Sequence, residues 1–166
     1  TLMDTLVIIG AGTIGLLALV CARKRGAGTI IVTDRSEHRL ARARQLGADV
    51  TVNIAERDPV EAVMEVTGGL GADSVIEAVG STPAVKQSLL VARNGGDVTW
   101  IGNSAPEVDV NMQQIVTREL TLRGAYCFDQ EFGRAIQWIS RSDGFDVSQL
   151  VELVAPLEDG PQLVHD

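Results

Sequence analysis

Short apolar runs alternate along this chain with segments in which apolar residues recur every three or four positions. The runs have the length of buried strands, and the recurring spacing is typical of helices that pack one face against a core. Glycine and proline lie at most of the boundaries, where they end one element or start the next. The pattern predicts strands near residues 5–9, 29–33, 48–53, 73–78, 97–101 and 120–125.

Helices are predicted between these strands and once after the last of them. They begin near residues 13, 36, 58 and 82, and a final helix is marked by the spacing of Phe132, Ala135, Ile136 and Ile139. Asp58-Pro59 and Thr82-Pro83 each place a capping side chain before a first-turn proline. The helix that Thr82 caps should direct Ala92 inward. The succession predicts an α/β fold, a doubly wound, mostly parallel six-stranded sheet with helices on both faces.

The turn after the first strand is rich in glycine and reads Gly10-Ala-Gly-Thr-Ile-Gly15. Gly10 would allow a tight turn, Gly12 would let a pyrophosphate approach the backbone, and Gly15 would let the helix pack close to the strand. The amides of Gly12, Thr13 and Ile14 would lie at a helix N-terminus, which favours anions. Glycines at this spacing also occur in ordinary loops, so the motif needs a second signal.

An acidic residue at the end of the second strand supplies that signal. Asp34 follows Gly15 by 19 residues, where a carboxylate can accept hydrogen bonds from the adenosine ribose. The same charge would repel the 2'-phosphate of NADP. An alternative is that Asp34 caps the helix near Ser36. The three glycines and Asp34 together predict a Rossmann-type domain that binds a dinucleotide and prefers NAD.

The ends of the fourth and fifth strands are further candidates, because ligands of such sheets lie over the carboxyl ends of the strands. Gly80 and Gly102 each bring a small residue there, where a flat ring could lie against the backbone. Both could equally serve the turns alone. Glu77 is a conceivable base, although a carboxylate at a strand end is more often a hydrogen-bonded structural group.

Composition excludes several functional classes. The 166 residues fit one domain, and the net charge of −8, with a single tyrosine, argues against a nucleic-acid partner. No apolar run reaches the length of a membrane span, and the start lacks the basic region of a signal peptide, so cytoplasmic residence is expected. The two cysteines are interpreted as reduced thiols, and no catalytic or metal-binding residues are predicted.

The chain resembles the medium-chain dehydrogenase/reductase superfamily, within it the zinc-dependent polyol, threonine and alcohol dehydrogenase branch. The motifs that carry the resemblance occur in family order: VIIGAGTIG, TDRSEHRLARARQLGAD, GADSVIEAVGS, NGGDVTWIG, VTRELTLRGAY and LVELVAPLEDG. The resemblance implies that Asp34 binds the ribose and that Arg39 flanks the adenosine. Arg35 could pair with a 2'-phosphate, so binding of NADP stays open. The residues that it implies for the nicotinamide half are Val79, Gly80, Ile101, Gly102, Asn103, Gly124 and Ala125.

The same resemblance implies what this chain lacks. Residues 1–155 correspond to the NAD(P)-binding domain, and residues 156–166 to the return segment towards an absent catalytic domain, which would hold the zinc. The chain is therefore expected to be a fragment that binds cofactor without oxidising an alcohol or polyol substrate. A homo-oligomer is expected through a sheet edge at Val108–Val110, which could instead be a loop.

Three other functions stay open from the sequence. A zinc-free quinone or enoyl reductase of the same superfamily would favour NADPH, which Asp34 opposes. A non-catalytic NAD-sensing module would have the same fold but would need an attached regulatory segment. A methyltransferase that uses S-adenosylmethionine would leave the pyrophosphate-binding glycines unexplained.

Overall fold

The computed structural model describes residues 4–128, 130–141, 144–151 and 153–163. They belong to two compact units, which divide between Cys127 and Phe128. The first unit contains the sheet and the glycine-rich turn. None of the helices in the described part of the chain is long and apolar enough to cross a membrane.

Six parallel strands form one sheet in the order β3-β2-β1-β4-β5-β6. This confirms the predicted doubly wound fold. The chain starts at the centre with β1, moves outwards to β3, and returns to the centre as β4, so the strand order reverses between β1 and β4. All carboxyl ends meet at one edge of the sheet, where a crevice opens at such a reversal. The strands are β1 Leu6–Ile9, β2 Ile30–Asp34, β3 Val50–Asn53, β4 Ala72–Glu77, β5 Ala92–Trp100 and β6 Thr121–Gly124.

Helices lie on both faces of the sheet. Alternate residues of β1 point to opposite faces: Val7 and Ile9 belong to the core cluster that includes residues of α3 and α4, whereas Ile8 lies beneath Gly15 of α1. The central strand β1 is apolar and buried throughout because both of its faces are covered. The helices of the first unit are α1 Thr13–Lys24, α2 Glu37–Gln45, α3 Pro59–Val66, α4 Thr82–Val91 and α5 Met112–Thr117.

The caps explain where several helices begin. The carboxylate of Asp58 accepts hydrogen bonds from the amides of Val60 and Glu61, as its pairing with Pro59 predicted. The prediction for α4 was wrong in detail: Ser81, not Thr82, is the N-cap residue, and its side chain caps no amide. Ala92 is buried as predicted, but it belongs to β5, because the chain leaves α4 at Val91 and pairs at once with Ala72.

Two segments beyond β5 differ from the sequence pattern. The short helix α5 was not predicted, because it spans only six residues and none of them is fully buried. In the first unit as described, Val108–Val110 pairs with no strand, although the side chain of Val110 packs against the core. Pairing of this segment between two copies therefore stays a prediction.

The second unit contains the predicted final helix, α6 Glu131–Ile139, and the short α7 Gly160–Leu163. Phe132, Ile136 and Ile139 of α6 are all exposed, and the ring of Phe132 stacks on that of Phe128 with centroids 5.5 Å apart. Two 3₁₀ turns, Val147–Leu150 and Leu157–Asp159, lie between the helices. The assignment of 156–166 as a return segment stays a prediction, and residues 164–166 lie outside the described part.

Asp73 links the starts of neighbouring strands, and its ionisation should make the stability of the folded protein depend on pH. Its carboxylate accepts a hydrogen bond from the Arg93 guanidinium at 2.6 Å and from the Thr5 amide at 2.8 Å. The bond from Arg93 lowers the pKa of Asp73, helped by the Thr5 amide, against the opposing effect of burial. The stabilisation is present above the pKa of an unfolded aspartate, near 3.8, and is lost as pH falls through the lower folded pKa.

We therefore expect Asp73→Asn to lower the free energy of unfolding by about 1 kcal/mol at pH 7. Urea unfolding at pH 7, 5 and 3 should show the same difference at pH 7 and 5 and a smaller one at pH 3, because below about pH 3.8 the unfolded carboxylate takes up a proton more readily than the folded one. A difference that is the same at all three pH values would contradict this role of the charge.

Candidate cofactor site

The glycine-rich turn carries α1 back across the end of β1, and its three glycines meet different surroundings. Gly10 has a φ of +96°, and a Cβ there would lie 2.7 Å from Cγ2 of Val79. A Cβ on Gly15 would lie 1.8 Å from the carbonyl oxygen of Gly10, so the helix touches the turn backbone to backbone. A Cβ on Gly12 would meet nothing within 4 Å. Two glycines thus serve the fold, and the third keeps a space open.

The open space at Gly12 lies at a helix N-terminus with unpaired donors. The amides of Gly12, Thr13 and Ile14 donate to no acceptor in the described part of the chain, while Thr13 and Ile14 are exposed. Such amides and the positive end of the helix dipole favour a phosphate group. The structure therefore brings these three predicted residues together at one helix N-terminus, and their binding of an anion stays a prediction.

Asp34 lies beside this turn and is only 8% exposed. Its Oδ2 accepts a hydrogen bond from the amide of Ala11 at 2.8 Å, and its Oδ1 accepts one from the amide of Ser36 at 2.8 Å. The N-cap of α2 is Ser36, whose Oγ accepts from the amide of Arg39. A carboxylate has about four lone-pair directions, so each oxygen can still accept a ligand hydroxyl. The bond to the glycine-rich turn is a second role that sequence reasoning missed.

A cleft of about 400 Å³ opens beside Asp34. Its volume falls within the range that small-molecule sites usually have, about 300–1,000 Å³. Arg35 and Arg39 are exposed at this cleft, so both predicted basic residues lie near the Asp34 carboxylate. The lining consists of Ile9, Gly10, Thr33, Asp34, Arg35, Arg39, Ile54, Val79, Ser81, Pro83, Ala84 and Gln87.

The turns after β4 and β5 are packed directly on one another. A Cβ on Gly80 would lie 2.2 Å from the amide nitrogen of Asn103, and one on Gly102 would lie 2.1 Å from the amide nitrogen of Gly80. The Oγ of Ser104 also donates to the carbonyl of Val79 at 2.8 Å. Both glycines are thus required by the contact between the turns. Their predicted role beneath a flat ring is compatible with this contact and stays a prediction.

Glu77 stabilises these two turns and is fully buried. Its Oε1 accepts hydrogen bonds from the amides of Val79 at 2.7 Å and Gly80 at 2.8 Å. Its main-chain carbonyl accepts from the amides of Ile101 at 2.8 Å and Gly102 at 3.0 Å. The geometry favours the structural interpretation of this carboxylate. No sequence signal shows that one residue would hold both turns.

The remaining predicted residues reach the same edge of the sheet. Ile101 is half-buried, whereas Asn103, Gly124 and Ala125 are exposed. Gly124 ends β6 in register with Trp100, and the amide of Ala125 donates to the carbonyl of Trp100 at 3.0 Å. Ala125 could therefore offer a ligand its carbonyl but not its amide.

Both cysteines are free and exposed. Burial of part of the Cys21 side chain raises the pKa of its thiol, although the charge of Arg25 opposes this. In the described ranges, no three His, Cys, Asp or Glu side chains come close enough together to hold a metal ion.

Comparison with known proteins assigns this arrangement to a family. A family model described as zinc-binding dehydrogenase matches residues 13–141. The chain belongs to the zinc-binding dehydrogenase family. This confirms the resemblance inferred from the motifs and makes the chain an NAD(P)-binding, Rossmann-type domain of the medium-chain dehydrogenases, which are oxidoreductases.

Individual members of the zinc-binding dehydrogenase family support the assignment. L-threonine 3-dehydrogenase of Symbiobacterium thermophilum is 37% identical over 121 residues, which are 72% of this chain and 34% of that enzyme. Sorbitol dehydrogenase of Bacillus subtilis is 33% identical over 138 residues, 82% of this chain and 39% of that enzyme. A zinc-binding dehydrogenase structure from Sinorhizobium meliloti 1021, bound to NADP, superposes with a TM-score of 0.90 at 29% identity. That match covers 100% of this chain and 49% of the other, so the chain spans at most about half of these proteins.

Proposed function

We propose that this chain binds NAD(H) in preference to NADP(H) and positions the nicotinamide for hydride transfer in an alcohol, polyol or threonine-type dehydrogenase. The observation that carries the proposal is the placement of the Asp34 carboxylate between the unpaired amides at Gly12–Ile14 and the adjoining cleft. A dinucleotide needs those two features side by side, one for its pyrophosphate and one for its adenosine ribose.

Residues of this chain can be assigned to each successive part of the cofactor. The amides of Gly12, Thr13 and Ile14 would hold the pyrophosphate, Asp34 would accept the ribose hydroxyls, and Arg39 would flank the adenosine. When bound, the nicotinamide supplies the carbon that accepts or gives the hydride. The nicotinamide half would lie over Val79, Gly80, Ile101, Gly102 and Asn103, with Gly124 and Ala125 near the carboxamide.

The contribution of this chain is then to orient the cofactor, which raises the rate by positioning rather than by proton transfer. The described residues do not fit a zinc ion, so no step of the proposal passes through one. We infer that the chain alone binds cofactor without turning over alcohols, and that two copies associate through Val108–Val110.

A zinc-free NADPH-dependent reductase domain is the second candidate, favoured by one observation. Arg35 and Arg39 are both exposed at the cleft, where guanidinium groups could pair with a 2'-phosphate. The NADP-bound relative shows that members of this fold family take that cofactor. The Asp34 carboxylate opposes it, because the phosphate would have to lie against a nearly buried negative charge.

Parallel calorimetric titrations with NADH and NADPH test the proposal. We expect the wild-type chain to bind NADH at least about tenfold more tightly, since one repulsive contact of this kind is worth about 1.4 kcal/mol or more. Asp34→Asn keeps the size of the side chain and removes the charge, but it also loses one of the two amide hydrogen bonds. Both dinucleotides should therefore bind more weakly, and the preference for NADH should shrink or reverse. Asp97→Asn is the matched control, because that carboxylate is 50% exposed and lies outside both the cleft and the proposed association edge.

The alternatives make different predictions. Tighter binding of NADPH by the wild-type chain would favour the zinc-free reductase over the NAD-dependent dehydrogenase. Binding of S-adenosylmethionine, with no binding of either dinucleotide, would overturn the assignment to dehydrogenases.

A further inference from the structure

A buried side-chain amide forms part of the wall of the cleft beside Asp34. We propose that Gln87 recognises the adenine base, its carbonyl oxygen accepting a hydrogen bond from the 6-amino group. The inference rests on the proposed function and adds a specificity-determining residue to it. Gln87 does not belong to any of the motifs that predicted the cofactor site.

The placement of Gln87 is fixed by its neighbours. It lies on the inner side of α4, one turn after Ala84, and is 8% exposed. Its Nε2 donates a hydrogen bond to Oγ1 of Thr33 at 3.1 Å, and Thr33 is 1% exposed. Both side chains line the same cleft as Asp34. Because the amide group is planar, the bond at Nε2 also fixes the direction of Oε1.

The oxygen of that amide has no partner. In the described part of the chain, Oε1 of Gln87 accepts no hydrogen bond, and it is not among the fully enclosed atoms that lack one. It therefore still reaches the open space of the cleft. A ligand that fills the cleft shuts this acceptor off from water, and leaving it unpaired would then cost about 1–3 kcal/mol. The geometry therefore favours a hydrogen-bond donor of the ligand as the partner of Oε1.

The donors on the adenosine half of a dinucleotide are few. They are the two ribose hydroxyls and the 6-amino group of the base. In the proposed function the hydroxyls donate hydrogen bonds to Asp34. The amino group is therefore the donor that remains for Gln87. The rest of the wall suits the faces of a flat base, because it includes the apolar side chains of Ile9, Ile54, Val79 and Ala84.

The test compares NADH with the reduced nicotinamide hypoxanthine dinucleotide, in which an oxo group replaces the 6-amino group. Calorimetric titration of the wild-type chain should show about five- to tenfold tighter binding of NADH, the usual effect of one partly buried hydrogen bond. Gln87→Leu should reduce that ratio to about one by weakening NADH alone. Thr33→Val, which removes the partner of Nε2, should reduce the ratio in part.

A matched control and the contrary outcomes make the test specific. Gln113→Leu carries the same change at an exposed position of α5 and should keep the wild-type ratio. Equal affinity of the wild-type chain for the two dinucleotides would overturn the role of Gln87 alone, as would an unchanged ratio in a folded Gln87→Leu. If neither dinucleotide binds the wild-type chain, the proposed function fails and this inference fails with it.

Discussion

Gly12→Val should abolish NADH binding and leave the protein folded. A Cβ at this position meets nothing within 4 Å, and the backbone of Gly12 is extended, a conformation that valine adopts readily. The added methyl groups would instead occupy the space in front of the unpaired amides, which is the proposed site of the pyrophosphate. We expect the affinity for NADH to fall by about 100-fold or more, which corresponds to roughly 2.7 kcal/mol.

Calorimetry measures the affinity, and thermal unfolding measures the stability of the same sample. The stability should change by no more than about 1 kcal/mol, since valine is a poorer N-cap residue than glycine. Gly133→Val is the matched control, because its Cβ also meets nothing within 4 Å and it lies in α6, outside the proposed site; its affinity for NADH should stay unchanged. Retained NADH binding by Gly12→Val would place the cofactor elsewhere.

Gly15→Ala should have the opposite signature, a loss of folding. Its Cβ would lie 1.8 Å from the carbonyl oxygen of Gly10 and 2.9 Å from the carbonyl carbon. Backbone atoms cannot move aside as a flexible side chain can, so α1 would have to lift from the end of β1. Overpacking of this kind costs about 3 kcal/mol or more.

Urea unfolding of Gly15→Ala beside Gly12→Ala separates the two effects, because the same methyl group is added three residues apart on one turn. We expect Gly12→Ala to unfold at nearly the wild-type urea concentration and Gly15→Ala to unfold much earlier or to be unfolded throughout. Equal stability of the two variants would contradict the close approach of helix and turn.

The parts of the fold that the sequence predicted are those with local causes. The succession of strands and helices follows from apolar runs that alternate with helical periods, and the start of α3 follows from Asp58-Pro59. The glycines and Asp34 were recognised because their spacing along one strand–helix–strand unit reflects the shape of a pyrophosphate and a ribose. A local pattern or motif is sufficient to predict structure where residues that are close in sequence are also close in space.

The parts that the sequence did not predict depend on contacts between distant segments. The pairing of Gln87 with Thr33 joins residues 54 positions apart, and the bond from Asp34 to the amide of Ala11 joins residues 23 apart. The six-residue helix α5 was too short for its apolar residues to mark a helical period. Likewise, the packing of Gly80 against Gly102 depends on the register of β4 and β5, which no local pattern fixes.

The hydrogen bond between Asp34 and the amide of Ala11 has a consequence for how a cofactor would bind. It holds the glycine-rich turn in one conformation before any ligand arrives. The conformational entropy of that turn is therefore lost when the protein folds, and none of it is left to be lost on association. The proposed phosphate site is therefore preorganised, and the carboxylate that would select the ribose also sets the geometry that would receive the pyrophosphate.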